Sequence, residues 1–314
     1  MDMKLISSLE DIKKPFPYAV ITVGNFDGVH LGHQTLLNQV KERAKETSGT
    51  PIVFTFEPHP VKVLKKEKIP LITPFERKME LIAQLGIDVI ICPPFTREFS
   101  KISAREFVEN ILIEKIGMKE IVVGHDYAFG RGREGNIELL KELGSELDFK
   151  VHILGPVLVD NMVVSSTRVR ELIMEGELEK VKILLNRYYQ VSGEVIAGHD
   201  RGGRLLGFPT ANLRLVNEVF PKKGVYAVEV IANHRIYKGV ANIGFKPTFG
   251  SDALSVETHI LDFNQNIYGK KIRLNFVKRL RDEKKFPSIE ALAGQIKKDI
   301  EEARGIFEIL RKQE

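Results

Sequence analysis

Two histidines three positions apart, His30 and His33, stand in the run Gly24-Asn25-Phe26-Asp27-Gly28-Val29-His30-Leu31-Gly32-His33-Gln34. Imidazoles at that spacing can donate together to one anion. The glycines let the backbone turn tightly and let a ligand come close to the main chain. An apolar run at 18–23 precedes the stretch, and a periodic segment at 35–44 follows it. That pattern predicts a buried strand, a turn, and a helix beginning within one or two residues of His33. The free amides of a helix start form a site for phosphate. Asn25 and Asp27 add polar groups, so the arrangement suits binding and polarising a nucleoside triphosphate. Zinc on His-x-x-His is a weaker reading, since neither a cysteine ligand nor a His-Glu-x-x-His frame lies nearby. A purely structural turn is weaker still.

Two later stretches carry related chemistry. Gly124-His125-Asp126-Tyr127-Ala128-Phe129-Gly130-Arg131-Gly132-Arg133 follows an apolar run and combines mobile glycines with arginines. It reads either as a phosphate loop, with Asp126 on a sugar or base, or as a solvated surface loop. Ser165-Ser166-Thr167-Arg168-Val169-Arg170 can cap a helix and bring arginine to phosphate oxygens. Ordinary capping accounts for the hydroxyls and leaves the arginines unexplained.

The second half of the chain offers a different set. In Gly203-Arg204-Leu205-Leu206-Gly207-Phe208-Pro209-Thr210-Ala211-Asn212-Leu213, residues 210 and 212 of an extended chain point to one side. Their side-chain oxygens are ligands suited to Mg²⁺, although Thr-x-Asn also occurs as a plain polar strand face. Glu257 lies within the mostly apolar Ser255–Phe263. It either faces solvent, the commoner case for Glu, or serves as a base.

The elements that must position these residues alternate in the first half. Apolar runs at 18–23, 51–56, 88–91, 119–123 and 149–154 predict strands, with helices between them. Thr73-Pro74-Phe75-Glu76 and Ser103-Ala104-Arg105-Glu106 read as capping boxes. Such alternation implies a parallel sheet with ligands at the carboxyl ends of its strands. A helical segment over 178–188 closes this half. Strands are then expected at 189–197, 225–232, 236–243, 255–263 and 271–280, separated by turns, which implies an antiparallel barrel or sandwich. A last amphipathic helix runs from Pro287 to about Arg311. The domain boundary is placed near residue 186, giving 1–186 and 187–314.

The totals are those of a soluble globular chain. Its 314 residues are 43% hydrophobic and 28% charged, with a net charge of +5, enough for two cores. The single cysteine, Cys92, excludes a disulfide framework and fits a cytoplasmic protein. No signal peptide or membrane span is expected, and no concentrated basic stripe marks a nucleic-acid binder.

The glycine–histidine run resembles the His-x-Gly-His signature of nucleotidyltransferases. In its full form it resembles the adenylyltransferase half of the bacterial bifunctional riboflavin kinase/FMN adenylyltransferases, or FAD synthetases. Thr55-Phe56-Glu57-Pro58-His59-Pro60, the 124–130 loop and Ser165–Arg170 occur in that family's order. Gly207–Leu213, Gly224-Val225-Tyr226-Ala227, Gly239–Gly244, Pro247-Thr248-Phe249 and Val256–Phe263 are similar to its riboflavin kinase module. The resemblance implies a Rossmann-like nucleotidyltransferase sheet followed by a Greek-key β-barrel with a terminal helix. It also implies phosphorylation of riboflavin to FMN and adenylylation of FMN to FAD.

By that resemblance His30 and His33 act in adenylylation. ATP is held by Gly24, Asn25, Phe26, Asp27, Gly32, Ser165, Ser166, Thr167 and Arg170, with Arg168 at a variable position. In the kinase half, Gly203, Gly207 and Thr210 hold ATP, Thr210 and Asn212 hold Mg²⁺, and Glu257 is the base. Asp126, Phe129, Arg281 and Phe286 are implied on the flavin side. Asn136 stands where an acidic residue is expected, and the loop Gly198 to Gly203 is one residue longer than usual. The implied partners are ATP, riboflavin, FMN and FAD, with neither nucleic acid nor membrane, in a cytoplasmic monomer or weak homo-oligomer. Two rivals are a nucleotidyltransferase acting on another phosphate, which leaves the barrel without a purpose, and a flavin- or nucleotide-binding regulator without turnover.

Overall fold

A computed structural model describes residues 3–64, 69–197, 207–248 and 251–313. By packing, the chain divides into Met1–Ser166 and Thr167–Glu314.

The first unit is built on six parallel strands: β1 (Lys4–Ile6), β2 (Ala19–Val23), β3 (Thr50–Phe54), β4 (Val89–Ile91), β5 (Met118–Gly124) and β6 (Lys150–Leu154). Their order across the sheet is β1-β4-β3-β2-β5-β6. Five of them fall where the apolar runs predict strands. The three-residue edge strand β1 is too short to give a pattern. All five residues of β2 are buried, as a strand covered on both faces requires. Its alternate residues feed separate cores. Ile21 and Val23 pack with Ile52, Phe54 and Phe107 on one face, while Val20 packs with Leu37, Val40 and Ile82 on the other.

The covering helices are α1 (Leu31–Glu46), α2 (Pro60–Leu64), α3 (Phe75–Gln84), α4 (Ala104–Glu106) and α5 (Ile137–Glu146). From α4 the chain continues as a wider π-type segment, Phe107–Ile116. The Ser103–Glu106 capping box forms as expected, but the one at Thr73 does not. Pro74 is the residue before α3, with no side-chain cap, and Thr73 is buried with its N–H directed to Asp27. The departure at Asn136 has a local reason: its Oδ1 accepts from the Leu139 N–H at 2.9 Å and caps α5.

The strand order decides where a ligand can sit. The chain lays β3 and β4 outward on one side of β2, then crosses back to place β5 on the other side. The order reverses between β2 and β5, and loops leaving the carboxyl ends of such a pair diverge to leave a crevice. A short hairpin that the sequence did not announce, β7 (Leu158–Val159) with β8 (Met162–Val163), leads out of this unit.

The other unit begins in α6 (Ser166–Glu175) and includes α7 (Leu178–Leu185). These are the helix expected after the Ser165–Thr167 cap and the helical segment expected from residue 178, separated at Gly176, which has φ +83°. Next come β9 (Tyr189–Ile196), β10 (Thr210–Leu215), β11 (Gly224–Ala232), β12 (Arg235–Thr248), β13 (Ser251–Ile260), β14 (Lys271–Arg281) and α8 (Ile289–Gln313). The strands close a barrel in the order β10-β13-β12-β11-β14-β9, every pairing antiparallel. Strands β11, β12 and β13 form a meander and β14 returns beside β11, which is Greek-key winding. Of the two architectures the pattern allowed, the barrel forms. Helix α8 packs Ala303 and Phe307 against Val225, Val240 and Val277. Helix α7 buries Leu178, Val181, Leu184 and Leu185 and lies on β9 and β14.

Away from the crevice, Glu120 of β5 is fully buried among polar partners. Arg43 Nε donates to its carboxylate at 2.9 Å, Tyr18 Oη at 3.0 Å, and His152 Nε2 lies at 2.8 Å. Burial alone would raise its pKa, but the hydrogen bonds from Arg43, His152 and Tyr18 outweigh that and hold it at about 2. A carboxyl depressed on folding stabilises the native state above its unfolded pKa and loses that effect as pH falls toward the folded value. At neutral pH the shift corresponds to ~3 kcal/mol. Glu120→Gln should therefore lower the urea midpoint clearly at pH 7, and its difference from the parent should shrink between pH 5 and pH 2. A difference independent of pH would rule out the linkage.

Candidate active sites

The glycine turn lies at the carboxyl end of β2, at the point of strand-order reversal. Gly24 donates to the Phe54 carbonyl at 3.0 Å, which ties the start of the turn to β3. Gly28 has φ +88°, and Phe26 and Val29 also lie in the left-handed region, at +52° and +41°. Bulky side chains rarely adopt that backbone, and its clustering marks a turn held by its surroundings. Part of the hold is Asp27. Its buried carboxylate accepts from the N–H of Ile72 at 2.9 Å and of Thr73 at 3.2 Å. These bonds give the Asp27 carboxylate a structural role in the turn. A buried anion satisfied by backbone donors is a brace for the turn.

His30 caps α1. Its Nδ1 accepts from the His33 N–H at 3.4 Å, so the neutral ring carries its proton on Nε2 and can donate from there. The two imidazoles stack with centroids 3.7 Å apart, and Phe26 meets His33 edge-on at 5.3 Å. His30 is buried, and His33 and Gly32 are half-buried. A ring pair, a helix N-terminus and a glycine turn therefore converge, as the spacing predicts. Ser166, first residue of α6, donates from Oγ to the Asp27 carbonyl at 2.8 Å, bringing the Ser165-Ser166 segment to the turn. Arg170 follows one turn later on the same helix face as Ser166. Thr167 is exposed on α6, and Arg168 pairs with Glu171 at 3.2 Å.

The loop after β5 holds the expected flavin residues apart. Asp126 is exposed. Phe129 is 93% buried, stacked on Tyr127 at 5.3 Å and joined to Gly135 by a pair of backbone hydrogen bonds. Its ring packs in the core and closes the 130–134 loop. The half-buried aromatic surface lies elsewhere. Phe56 beyond β3 meets Phe95 beyond β4 at 5.2 Å and Phe99 at 5.3 Å. These residues were missed because they come from separate loops with no common motif.

In the barrel, pairing register assembles the site. Asn212 of β10 stands opposite Glu257 of β13, and Glu257 stands opposite Asn242 of β12. Thr210 pairs with His259. Ala211, Leu213, Val256, Thr258 and Ile260 are buried, so Thr210, Asn212, Glu257 and Asn242 share the opposite, half-buried face. His259 Nδ1 donates to the Pro209 carbonyl at 2.8 Å, and its ring meets Phe208 edge-on at 5.7 Å. It anchors the turn from Gly207, which has φ +81°, into β10. Gly203 and the loop from Gly198 lie outside the described residues, so the expected contact at Gly203 has no structural counterpart here.

Asn242 and Glu283 were missed in the sequence. Asn242 Nδ2 donates to Glu283 at 3.5 Å, and a Cβ at Gly244 would collide with that carboxylate. The alternation in Gly239–Ile243 was the signal for Asn242; Glu283 had none. A cavity of about 320 Å³ is lined by Thr210 together with Val195, Pro209, Ala211, Thr258, Ile260 and residues 263–268. The Thr258 hydroxyl is buried without a hydrogen-bond partner among the described residues. Arg281 is taken up by Asp299 of α8 through two bonds of 2.8 and 2.7 Å, with its guanidinium over the Phe286 ring at 5.7 Å. It braces the approach to α8, and Phe286 is held against it.

Thr210 and Asn212 present hard oxygen donors on one face, which fits Mg²⁺ shared with nucleotide phosphates. No group of three or more His, Cys, Asp or Glu residues able to hold a metal occurs among the described residues, so the zinc reading of His30 and His33 gains no further ligand. No helix among them is long and apolar enough to cross a membrane.

Comparison with known proteins agrees with this division. Residues 13–168 match the family model for FAD synthetase, and residues 185–307 match that for riboflavin kinase. The chain is 38% identical over 313 residues to the bifunctional riboflavin kinase/FMN adenylyltransferase of Buchnera aphidicola subsp. Schizaphis graminum, covering 98% of this chain and 100% of that one. The proteins of the same name from Escherichia coli strain K12 and Bacillus subtilis strain 168 are 36% and 39% identical. They cover 97% and 96% of this chain, and 98% and 96% of their own lengths. Among solved structures, one titled as a macrolide-efflux protein from Streptococcus pneumoniae superposes with a TM-score of 0.88 at 32% identity, over 97% of this chain and 99% of that one.

Proposed function

The chain belongs to the bifunctional riboflavin kinase/FMN adenylyltransferases, and from that premise we propose how its residues divide the work. The enzyme is a transferase that phosphorylates riboflavin to FMN and adenylylates FMN to FAD. Adenylylation belongs to residues 1–186 and riboflavin phosphorylation to residues 187–314. The observation that carries the residue assignment is the double convergence: stacked histidines at the strand-order reversal in one half, Asn212 abreast of Glu257 in the other.

In the barrel, the 5′-hydroxyl of riboflavin attacks the γ-phosphorus of ATP and ADP leaves. Glu257 takes the hydroxyl proton. Thr210 and Asn212 would hold Mg²⁺, which when bound neutralises phosphate charge. The half-buried face shared by Thr210, Asn212 and Glu257 receives the nucleotide, and the Phe286 side receives the flavin. In the first half, an FMN phosphate oxygen attacks the α-phosphorus of ATP and pyrophosphate leaves. The nucleophile is already an anion, so no base is required. His30, His33, Arg170, the α1 amides and the Ser165–Thr167 segment stabilise charge on the transferring and leaving phosphates. Gly24, Asn25, Phe26 and Gly32 shape the turn around them. The half-buried rings of Phe56, Phe95 and Phe99 offer the isoalloxazine a stacking surface, with Asp126 at the rim. We place the enzyme in the cytoplasm as a monomer or weak homo-oligomer, acting on ATP and flavins without nucleic acid or membrane.

Incubation with riboflavin, ATP and Mg²⁺, with the flavins separated over time, tests the reading. FMN should appear first and FAD after it, and chelation of the metal should stop both. FMN without FAD would remove the assignment of His30 and His33.

A further inference from the structure

We propose that Lys78 is a positioning residue for adenylyl transfer: its buried ammonium fixes the Asn25–Phe26 peptide and so aims the phosphate-binding turn. This rests on the adenylyltransferase reading of the first half. Among the described residues Lys78 is the one lysine or arginine in the buried interior, at 5% exposure. It stands one turn into α3, behind the glycine turn. Its Nζ donates to the Asn25 carbonyl at 3.3 Å and to the Thr55 hydroxyl at 3.5 Å, and Thr55 itself donates to the Asn25 carbonyl at 3.5 Å. The Phe75 ring centroid lies 5.8 Å from the ammonium.

The consequence follows from peptide geometry. The bond between Asn25 and Phe26 is trans, so its carbonyl and its N–H point in opposite directions in one plane. Drawing the Asn25 carbonyl inward to Lys78 turns the Phe26 N–H away from the buried side. Phe26 is also the residue with φ +52° that starts the left-handed part of the turn. Helix α3 thus grips the turn twice, through Asp27 at its entry and through Lys78 one turn on.

An apolar residue would fill this space without the desolvation that burying a cation requires. That burial lowers the Lys78 pKa, and the nearby carboxylates of Glu57 and Asp27 oppose the shift. The Cys92 thiol is pushed up to about 11 by its own burial and stays neutral. A basic side chain thus lies behind a turn proposed to bind an anion, a placement that packing by itself does not call for.

Lys78→Met keeps the length and the apolar stem while removing the charge. In FMN adenylylation its KM for ATP should rise about 10- to 100-fold, the scale of a lost charged hydrogen bond. The KM for FMN and the rate of riboflavin phosphorylation by the same chain should stay unchanged. Thr55→Val should move the KM for ATP in the same direction by less. An unchanged KM for ATP in Lys78→Met, or an equal loss of both activities, would overturn the proposal. Should Lys78→Met not fold, Thr55→Val decides: a selective rise in that KM supports the role, and an unchanged KM removes it. A parent enzyme that makes no FAD would instead count against the adenylyltransferase reading itself.

Discussion

His33→Ala should reduce FAD formation from FMN by ~10²–10³-fold or more, the scale on which one donor to a developing phosphate charge acts, while riboflavin phosphorylation continues at the parent rate. The side chain is removed from the centre of the site, where it stacks on His30 at 3.7 Å. What remains is the backbone N–H that donates to His30 Nδ1, so the cap of α1 survives. Alanine also favours the first turn of a helix as well as any residue. A drop in adenylylation is therefore read as lost charge stabilisation and not as lost structure. The barrel supplies the control within the same molecule, because its product is measured in the same flavin separation. Equal loss of both activities would mean that the residue supports folding. FAD formation within threefold of the parent would remove His33 from the mechanism.

The second large effect belongs to the other half. Glu257→Gln should lower FMN formation by ~10²–10⁴-fold, the range for a general base, while FAD formation from supplied FMN is retained. Glutamine keeps the size and the hydrogen-bonding reach of the side chain. It can still sit between Asn212 and Asn242, with which β13 places it in register. Only the capacity to take a proton is gone. FMN formation within tenfold of the parent would leave Glu257 as a polar residue of the strand face.

Much of this site was legible one segment at a time. His30, the three glycines and the following amphipathic helix lie within one contiguous stretch, and the expected turn and helix start are what the chain forms. A strand-to-helix junction is specified by neighbours in sequence, through backbone conformation and apolar period. The same holds for Thr210 and Asn212, whose common face follows from the alternation of an extended strand. The barrel was legible as a class, because turns separate strands without helices between them.

Where a side chain ends up among distant partners was not legible in this way. Asp27 and Arg281 bear charges beside glycine-rich or flavin-like motifs, and both are engaged structurally: Asp27 by the amides that open α3, Arg281 by Asp299 of α8. Phe129 lies in a loop motif, yet its ring belongs to the core. Thr73 carries a capping pattern that the chain does not use, because its N–H is claimed by Asp27 from 46 positions away. Glu283, Phe95 and Lys78 had no motif to announce them.

The sequence by itself determined the two-part plan, the glycine–histidine turn and the oxygen-bearing strand, because each is set by the conformational preferences and period of contiguous residues. Only the tertiary structure decided the strand order that puts the turn at a reversal, and the register that brings Asn212, Glu257 and Asn242 abreast. It also decided which charges serve the turn from behind. Those choices depend on hydrogen-bond ladders and burial between segments far apart in the chain, and no local pattern encodes a partner's position.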